Sequence, residues 1–381
     1  MKILLNALPL TGVLTGIARY TRNLYTSLSE MEGIELEYFD GRSLSPTMPI
    51  QNGSPSWMVK RRWTWAMPDQ IMFALRSAHW LRFEAGLRKA AREHQPDIYH
   101  ETGFVPAKVP AVPIVYNIYD LSLIHYPHAH PRERVWFSNF FLPRRLDLAS
   151  HVLTISNTVR LEILEHFKLP EERVTAIPLA PDPNFYPRTR SQISSTVNKL
   201  GLPDEYLLFV GTLEPRKNLS NLIQALALMN HKIPLVIAGW SGWGDKSWLQ
   251  HIHDLKISNR VYLAGHVGEE DLACLYSQAA ALAYPSFYEG FGLPLLEAMA
   301  CGCPVVCSNV SALPETAGEA ALYINPQMPQ DIAQALDRIV EDQSLARDLT
   351  EKGMRRAAAF TWERAAKKTM ELFLRFTPGR D

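Results

Sequence analysis

Short apolar runs of strand length alternate with stretches of helical periodicity along nearly all of this 381-residue chain. The predicted strands are Ile3–Asn6, Leu36–Phe39, Ile98–His100, Ile114–Ile118, His151–Ile155, Val174–Ile177, Tyr206–Val210, Leu235–Ala238, Val261–Leu263, Ala281–Tyr284, Val305–Cys307 and Ala321–Ile324. Between most of them, apolar residues recur at the i, i+3 and i+4 spacing of an amphipathic helix. Strands alternating with helices predict parallel sheets with helices on both faces. The chain is therefore expected to be a doubly wound α/β protein.

A stretch rich in proline and serine, residues 178–204, interrupts this alternation near the middle of the chain. A chain of this length exceeds the size of one ordinary hydrophobic core, so two domains are expected. We place a hinge in this stretch and predict an N-terminal domain over residues 1–185 and a C-terminal domain over residues 186–361.

Composition and charge exclude several classes of protein. Hydrophobic residues make up 47% and charged residues 20% of the chain, as in soluble globular proteins. The formal net charge of zero argues against general nucleic-acid binding. No run reaches the roughly 18 apolar residues that span a bilayer. The N-terminal stretch MKILLNALPL lacks a small-residue cleavage site, so we interpret it as a first buried strand and expect a cytoplasmic protein.

Two groups of residues have spacings that suggest metal ligands. The four cysteines are Cys274, Cys301, Cys303 and Cys307, and no fourth ligand lies near the last three in sequence. We interpret them as small buried residues of a reducing compartment. Three histidines lie among prolines, His125, His128 and His130. No D-x-D motif for a nucleotide-bound divalent ion occurs in the chain, so no metal is expected.

The segment of residues 286–304 holds two carboxylates eight residues apart, Glu289 and Glu297. Gly290 and Gly292 lie between them, and a proline suits the first turn of the helix that follows. The glycines leave backbone amides bare at a helix N-terminus, where anions and hydroxyls bind. One carboxylate in the loop and one on the helix therefore predict a site for a sugar and the nucleotide that carries it.

Two adjacent cations, Arg216 and Lys217, follow the predicted strand that ends at Val210. An arginine can hold phosphate oxygens through two parallel hydrogen bonds, while a lysine acts as a point charge. Fixed positive charge of this kind can stabilise a diphosphate without a metal. The alternative is a pair of exposed loop cations, whose removal would change stability little. Gly211 before them, and Asn218, expected to cap the next helix, favour the diphosphate site.

A second glycine loop, from Gly12 to Gly16, follows the first predicted strand. Its G-x3-G spacing differs from the G-x-G-x-x-G of dinucleotide-binding proteins, which removes the main support for a dehydrogenase. Either the glycines let the backbone approach a diphosphate, or the loop is an ordinary turn between a strand and a helix.

Taken together, the motifs resemble those of the retaining glycosyltransferases of family 4, which have the GT-B fold. The resemblance is carried by the Glu289–Glu297 pair, by LLFVGTLEPRKN at 207–218, by GIARY at 16–20 and by ACGCPVV at 300–306. It implies two Rossmann-like domains that face a cleft. It also implies that the last helix, within residues 362–381, packs back on the first domain.

The resemblance implies roles for individual residues. The catalytic residues would be Glu289, Arg216, Lys217 and Asp120. The residues that bind the donor would be Gly12, Gly16, Gly211, Thr212, His266, Val267, Gly290, Phe291, Gly292, Leu293 and Glu297. Glu289 would contact the donor sugar, either as a covalent nucleophile or while the leaving phosphate guides same-face attack. Glu297 would hold the ribose hydroxyls, and backbone groups at 265–267 would face the base.

The chain departs from the family pattern after the strand Ile114–Ile118. A histidine often precedes an aspartate there, whereas this sequence has Tyr119 before Asp120. Both residues are expected at the acceptor site. Asp120 either binds or deprotonates the acceptor hydroxyl, or only caps the next helix.

The resemblance, closest to bacterial mannosyltransferases of O-antigen synthesis, implies a retaining enzyme that needs no cofactor. GDP-mannose is the expected donor. A lipid-linked glycan is the expected acceptor. The alternatives are a glycosyltransferase that uses a UDP-sugar, a sugar-nucleotide 2-epimerase of related fold, and a non-catalytic carbohydrate-binding protein.

Residues 57–92 depart from the neutral balance of the chain. They contain eight cationic and two acidic residues, a net charge of +6, and the tryptophans Trp57, Trp63, Trp65 and Trp80. Cations beside tryptophans suit a helix that lies on an anionic membrane surface. The alternative is an amphipathic helix pair packed on the sheet edge, with cationic stems covering apolar surface. We expect peripheral contact with the cytoplasmic face of a membrane.

Overall fold

The computed structural model describes residues 1–12, 16–49, 67–244 and 246–377 of the chain. The chain divides into two compact units. Unit 1 comprises Met1–Leu179 and the segment from Trp362 on, and unit 2 comprises Ala180–Thr361. The division falls earlier than the predicted boundary after residue 185. The reason is that Phe185 is buried in unit 2, where its ring lies 5.9 Å from that of Tyr276.

In unit 1, the described residues form one seven-stranded sheet in the order β3-β2-β1-β4-β5-β6-β7. The strands are β1 (Lys2–Asn6), β2 (Glu35–Phe39), β3 (Leu44–Ser45), β4 (Ile98–Glu101), β5 (Ile114–Ile118), β6 (His151–Thr154) and β7 (Val174–Ala176). All are parallel except β3, which pairs antiparallel with β2. The sequence analysis missed this short edge strand.

The helices of unit 1 cover both faces of this sheet. They are α1 (Gly16–Ser29), α2 (Asp69–His94), α3 (Ser122–His125), α4 (Arg132–Arg145), α5 (Asn157–Phe167) and, from the end of the chain, α14 (Trp362–Leu374). Helices α2 and α4 pack against the same core cluster, which contains Leu4, Phe83 and Phe137. Their remaining faces are therefore turned away from the sheet.

The last helix, α14, packs against α1 in unit 1. Trp362 at its start lies with its ring 6.2 Å from that of Tyr20, and Phe373 near its end lies 5.3 Å from His100. Phe373 is fully buried, whereas its neighbour Leu374 is 54% exposed. Buried aromatic rings at both ends of α14 thus attach it to the unit in which the chain begins.

In unit 2, the described residues form a six-stranded parallel sheet in the order β10-β9-β8-β11-β12-β13. Its strands are β8 (Leu207–Val210), β9 (Leu235–Ala238), β10 (Val261–Gly265), β11 (Ala281–Tyr284), β12 (Val305–Ser308) and β13 (Ala321–Ile324). The helices are α6 (Arg190–Leu200), α7 (Leu219–Leu228), α8 (Ser247–Asp254), α9 (Glu269–Gln278), α10 (Leu293–Ala300), α11 (Leu313–Ala317), α12 (Pro329–Glu341) and α13 (Gln343–Ala358). The prediction of two doubly wound parallel domains is confirmed.

The proposed hinge over residues 178–204 is wrong for its serine-rich part, which forms α6. Thr189 and Gln192 form a capping box at the start of this helix, and Gly201 ends it with a φ of 62°. The capping box satisfies backbone N–H groups that would otherwise lack partners, so a polar tract can begin a helix. The proline content alone was therefore a poor guide to this stretch.

All four cysteine side chains are buried and unbridged, in agreement with their interpretation as small core residues. Burial raises the pKa of Cys301 to about 12, which keeps the thiol protonated and unreactive. Among the described residues, no helix is both long enough and apolar enough to cross a membrane.

Phe373→Ala should destabilise unit 1 by about 3–5 kcal/mol, because it opens a cavity where the last helix meets the sheet. Leu374→Ala, one residue further along and exposed, is the matched control and should change stability by no more than about 0.5 kcal/mol. Urea unfolding of both variants measures the difference. Equal losses would contradict the packing of α14 on unit 1.

Candidate active site

Strands β8 and β11 are neighbours in the sheet of unit 2, and the chain runs outward from them in opposite directions. A crevice opens at the carboxyl ends of strands where the order reverses in this way, and ligands of open α/β sheets bind there. The loop after β8 carries Arg216 and Lys217, and the loop after β11 carries Glu289. The topology therefore brings these three predicted residues to one place.

The loop after β8 ends in a short 3-10 turn, Pro215–Lys217, and then Asn218 with a left-handed φ of 60°. The predicted capping role of Asn218 is wrong, because its side chain makes no cap to α7. Its amide instead donates to the backbone oxygens of Pro285, at 3.0 Å, and Pro326, at 2.7 Å. Asn218 thus ties the loop after β8 to the loops after β11 and β13.

Glu289 pairs with both predicted cations at once. Lys217 Nζ lies 2.5 Å from Glu289 Oε1, and Arg216 donates to Glu289 Oε2 at 3.0 Å. Arg216 also pairs with Glu214 at 2.6 Å, and Lys217 donates to the hydroxyl of Tyr284 at 2.9 Å. Two carboxylates and two cations thus form one connected network.

This network is buried, because each of its four charged side chains is at most 10% exposed. The alternative of exposed loop cations for Arg216 and Lys217 is therefore wrong, and the exposure that led us to expect a small effect of their removal on stability is absent. Removing one partner of a buried ion pair leaves the other charge buried and unpaired. This typically lowers the free energy of unfolding by about 3–5 kcal/mol.

The two cations keep Glu289 ionised. Burial alone would raise the pKa of its carboxyl, but the charges of Lys217 and Arg216 and the hydrogen bond from Lys217 outweigh burial and lower the pKa to about 2. Glu289 is therefore a carboxylate, not an acid that could donate a proton, at every pH near neutrality.

Gly290, Phe291 and Gly292 connect Glu289 to α10 and are all buried. Gly292 has a φ of 95°, and a Cβ there would lie 2.6 Å from Leu313. Phe291 turns its ring into the core against Phe360, at 5.9 Å, so only its backbone could reach a ligand. Leu293 begins α10, and this stretch thus presents main chain at a helix N-terminus.

Glu297 lies on α10 with 1% of its surface exposed. Tyr276 from α9 donates its hydroxyl to Glu297 Oε2 at 3.1 Å. The second predicted carboxylate is thus held by a neighbouring helix rather than by the cations.

Backbone hydrogen bonds align the loops after β8, β9 and β10. Gly211 N donates to Ala238 O at 3.0 Å, and Gly239 N donates to Gly265 O at 2.7 Å. A Cβ on Gly239 would lie 1.9 Å from the oxygen of Gly211, so these two loops meet at a distance that only glycine allows. Thr212 follows Gly211 in this layer.

His266 and Val267 come directly after β10. The imidazole of His266 is stacked on Trp240, with ring centres 4.0 Å apart and planes at 18°, while Val267 is buried. The sequence analysis missed Trp240, although an aromatic residue directly after a strand-ending glycine could have signalled it. It also missed Glu214, which was visible as the acid two positions before Arg216.

In unit 1, Tyr119 and Asp120 follow β5. The hydroxyl of Tyr119 donates to Thr102 O at 3.2 Å, and burial raises its pKa well above the ordinary value. Asp120 Oδ1 accepts from the N–H of Ser122, the first residue of α3, at 2.8 Å. Asp120 thus binds the start of the next helix, as the capping alternative predicted. The role of Asp120 towards an acceptor stays a prediction.

Gly12 and Gly16 are both exposed, and a Cβ at either would meet no atom within 4 Å. The three residues between them lie outside the described part of the chain. The expected approach of this loop to a diphosphate stays a prediction.

A second buried polar group lies where β1 and β4 meet, the point at which the order of the unit 1 sheet reverses. Glu101 accepts from Tyr99 at 2.6 Å, from Asn6 at 2.5 Å and from the N–H of Gly103 at 2.7 Å. Burial raises its pKa to about 7. The sequence analysis did not single out this group. The described residues contain no cluster of three or more His, Cys, Asp or Glu side chains that could hold a metal ion.

Comparisons with known proteins identify the family of this chain. Residues 192–356 match the family described as glycosyl transferases group 1, and residues 14–185 match glycosyltransferase family 4. An O-antigen chain mannosyltransferase B of Escherichia coli is 34% identical over 98% of this chain and 99% of that protein. The chain is therefore a glycosyltransferase. It belongs to family 4 of these enzymes, with a group 1 domain in its second half.

Two further proteins are similar over most of their length. An MMP alpha-(1->4)-mannosyltransferase of Mycolicibacterium hassiacum is 26% identical over 82% of this chain and 76% of that protein. The solved structure of a sucrose-phosphate synthase from Thermosynechococcus elongatus matches 98% of both chains with a TM-score of 0.76 at 23% identity. The predicted GT-B fold is thus confirmed.

The ion pairs of Glu289 predict a specific acid sensitivity. Because its folded pKa of about 2 lies below the ordinary 4.5, Glu289 contributes stability that is complete above about pH 4.5 and is lost as the pH falls toward 2. Between pH 4.5 and 3, the unfolding free energy should fall more steeply for the native protein than for Glu289→Gln, by up to about 1.4 kcal/mol per pH unit. Urea unfolding over this range gives the two slopes, and equal slopes would contradict the pairing.

Proposed function

We propose that this glycosyltransferase transfers mannose, with retention of anomeric configuration, from GDP-mannose to a glycan acceptor in bacterial O-antigen synthesis. The observation that carries the glycosyl transfer is the Glu289 ion-pair network at the β8–β11 switch point. The choice of mannose is supported by the O-antigen relative that matches nearly the full chain. It is also supported by a second relative, named for a different product, that is again a mannosyltransferase.

In the proposed reaction, the bond between the anomeric carbon and the diphosphate oxygen breaks, and negative charge develops on the diphosphate. Arg216 and Lys217 are held in place by Glu214, Glu289 and Tyr284, so they need no reorganisation to meet that charge. We propose that they bind the diphosphate and replace the metal ion that other transferases use. The enzyme would then need no cofactor.

Glu289 is ionised and lies against both cations, so we propose that it faces the donor sugar beside the diphosphate. A carboxylate there stabilises the positive charge that develops at the anomeric carbon. Whether it forms a covalent bond or the leaving phosphate guides same-face attack, the residue acts in its ionised form. The acceptor oxygen then forms the new bond to the anomeric carbon, and its proton passes to Asp120 or to the departing diphosphate.

The other predicted contacts follow from the positions of the residues. We propose that the main chain of Gly290, Phe291, Gly292 and Leu293 binds the donor at the N-terminus of α10, together with Gly211 and Thr212 after β8. Glu297 would hold the ribose, and the main chain at His266 and Val267 would face the base. Gly12 and Gly16 stay assigned to the donor, and Tyr119 and Asp120 to the acceptor.

We further propose that the acceptor glycan is lipid-linked and that transfer takes place at the cytoplasmic face of a membrane. The charge of residues 57–92 supports this proposal. Of that segment, residues 57–66 lie outside the described part of the chain, and residues 69–92 belong to α2.

A panel of donors and acceptors tests the proposed reaction. GDP-mannose, GDP-glucose, UDP-glucose and UDP-N-acetylglucosamine are each incubated with the protein, with and without a mannosylated acceptor. Transfer from GDP-mannose alone, and only with the acceptor present, is expected. Transfer from a UDP-sugar would reassign the donor, and a new sugar nucleotide formed without acceptor would indicate the epimerase. Absence of nucleotide binding would indicate a carbohydrate-binding protein.

Lys217→Ala and Arg216→Ala should each lower the turnover number about 10²-fold or more, because each removes a fixed charge at the developing diphosphate. Lys352→Ala is the matched control, since this lysine pairs with Asp348 on the surface of the same unit. Thermal unfolding establishes the folded fraction of each variant before the rates are compared. Near-normal transfer by folded Lys217→Ala would place the diphosphate elsewhere.

Removal of metal ions tests the cofactor proposal separately. Treatment with EDTA should leave the rate of transfer unchanged, because two side-chain cations supply the positive charge. A complete loss of activity that manganese restores would contradict the metal-free mechanism.

A further inference from the structure

The loop that follows β4 in unit 1, residues 102–108 and here called the β4 loop, exposes one aromatic ring. Phe104 lies three residues beyond the end of β4 and is 53% exposed, more than any other aromatic side chain among the described residues. Its neighbour Val105 and, two residues further, Ala107 are fully buried in the core of the unit. A single exposed ring needs no explanation by itself. The backbone contacts and the position of the β4 loop are what distinguish Phe104.

Buried side chains hold the backbone on both sides of the exposed ring. The N–H of Gly103, just before Phe104, donates to Glu101 Oε1 at 2.7 Å. The hydroxyl of Tyr116 on β5 donates to the backbone oxygen of Phe104 at 2.7 Å. Glu101 and Tyr116 are both almost completely buried. The main chain that carries the ring is therefore fixed to the sheet, although the ring itself faces solvent.

The far end of the β4 loop is held by a buried ion pair. Glu84 of α2 accepts from the N–H of Lys108 at 2.8 Å. Arg145 of α4 pairs with Glu84 and donates to the backbone oxygen of Pro106 at 3.3 Å. A buried carboxylate and a buried cation that also bind main-chain groups restrict the loop strongly, because any displacement would leave these groups unpaired.

The β4 loop lies where the strand order of the unit 1 sheet reverses, between β1 and β4. The hydroxyl of Thr102 donates to the backbone oxygen of Asn6, the last residue of β1, at 2.7 Å. The hydroxyl of Tyr119 donates to the backbone oxygen of Thr102 at 3.2 Å. Ligands of open α/β sheets bind at such a reversal, outside the carboxyl ends of the strands. The loop is thus joined directly to Tyr119, which we assign with Asp120 to the acceptor.

We infer that Phe104 is the platform on which a pyranose ring of the acceptor glycan stacks. This assignment rests on the proposed transfer to a glycan and adds a specific contact for its acceptor. One face of a hexopyranose consists largely of C–H groups, and an aromatic ring removes these groups from water while the hydroxyls at the edge stay solvated. Because the β4 loop is already fixed, little conformational entropy is lost when the sugar binds. A phenylalanine has two side-chain torsions to restrict, so its own cost is small as well.

Kinetics with a water-soluble acceptor test this contact. With the methyl glycoside of α-mannobiose as acceptor, Phe104→Ala should raise the acceptor KM about tenfold, because it removes the apolar surface under the sugar. The turnover number at saturating acceptor and the KM for GDP-mannose should stay at the native values. Phe104→Trp keeps an aromatic face and should restore an acceptor KM near the native one.

Phe140→Ala is the matched control, since this phenylalanine is 46% exposed on α4 of the same unit. It should leave the acceptor KM unchanged, and thermal unfolding establishes that both variants are folded. An unchanged acceptor KM in Phe104→Ala, or an equal rise in the control, would overturn the inference. A similar rise in the KM for GDP-mannose would place the ring at the donor and overturn it as well. So would a loss of activity in Phe104→Ala confined to lipid-linked acceptor, which would assign the ring to the lipid.

Binding of the mannobioside in the absence of donor separates this inference from the proposed reaction. Saturation-transfer NMR should show contact between the native protein and the C–H protons of the sugar. Phe104→Ala should lose most of this signal, and Phe140→Ala should keep it. Binding that depends on Phe104 in a protein that transfers no mannose would refute the reaction and retain the platform. Transfer by a native protein whose mannobioside signal does not depend on Phe104 would retain the reaction and overturn the platform.

Discussion

The pairing of Glu289 with Lys217 and Arg216 is the interaction on which the arrangement of the candidate site in unit 2 depends. It joins the loops that follow β8 and β11, two strands that are adjacent in the sheet but separated by two further strands and their helices in the chain. A buried carboxylate is costly unless it is paired, and each of these cations is costly for the same reason. The charges to which we assign the proposed chemistry thus also hold these two loops together.

The fold was predictable because its signal is local and repeated. Every predicted strand is present in the structure. A parallel strand that is buried on both faces has a continuous apolar sequence, which can be recognised without knowing its neighbours. The elements that escaped prediction lack a long apolar run. Strand β3 consists of two residues, Leu44 and Ser45, and α6 is begun by the capping pair Thr189 and Gln192 rather than by an apolar stripe.

The site was predictable in its residue types but not in its partners. Glu289, Arg216 and Lys217 stand in recognisable local patterns, whereas the partners of Asn218 lie 67 and 108 residues away in sequence. The net charge of residues 57–92 was likewise summed over side chains that lie on opposite sides of α2. Trp80 and Glu84 point into the core of unit 1, whereas Arg82 and Lys89 of the same helix are exposed. The composition of a segment counts all side chains of a helix alike. Only the folded structure shows which of them are buried and which are exposed.

The return of α14 to unit 1 has a consequence for the order in which the protein assembles during synthesis. The ribosome completes residues 180–361, and with them all of unit 2, before it makes Trp362 and Phe373. Until then the faces of unit 1 that these rings cover, around Tyr20 and His100, stay open to solvent. The unit that is translated first is therefore finished last, and its early form exposes apolar surface to which a chaperone could bind.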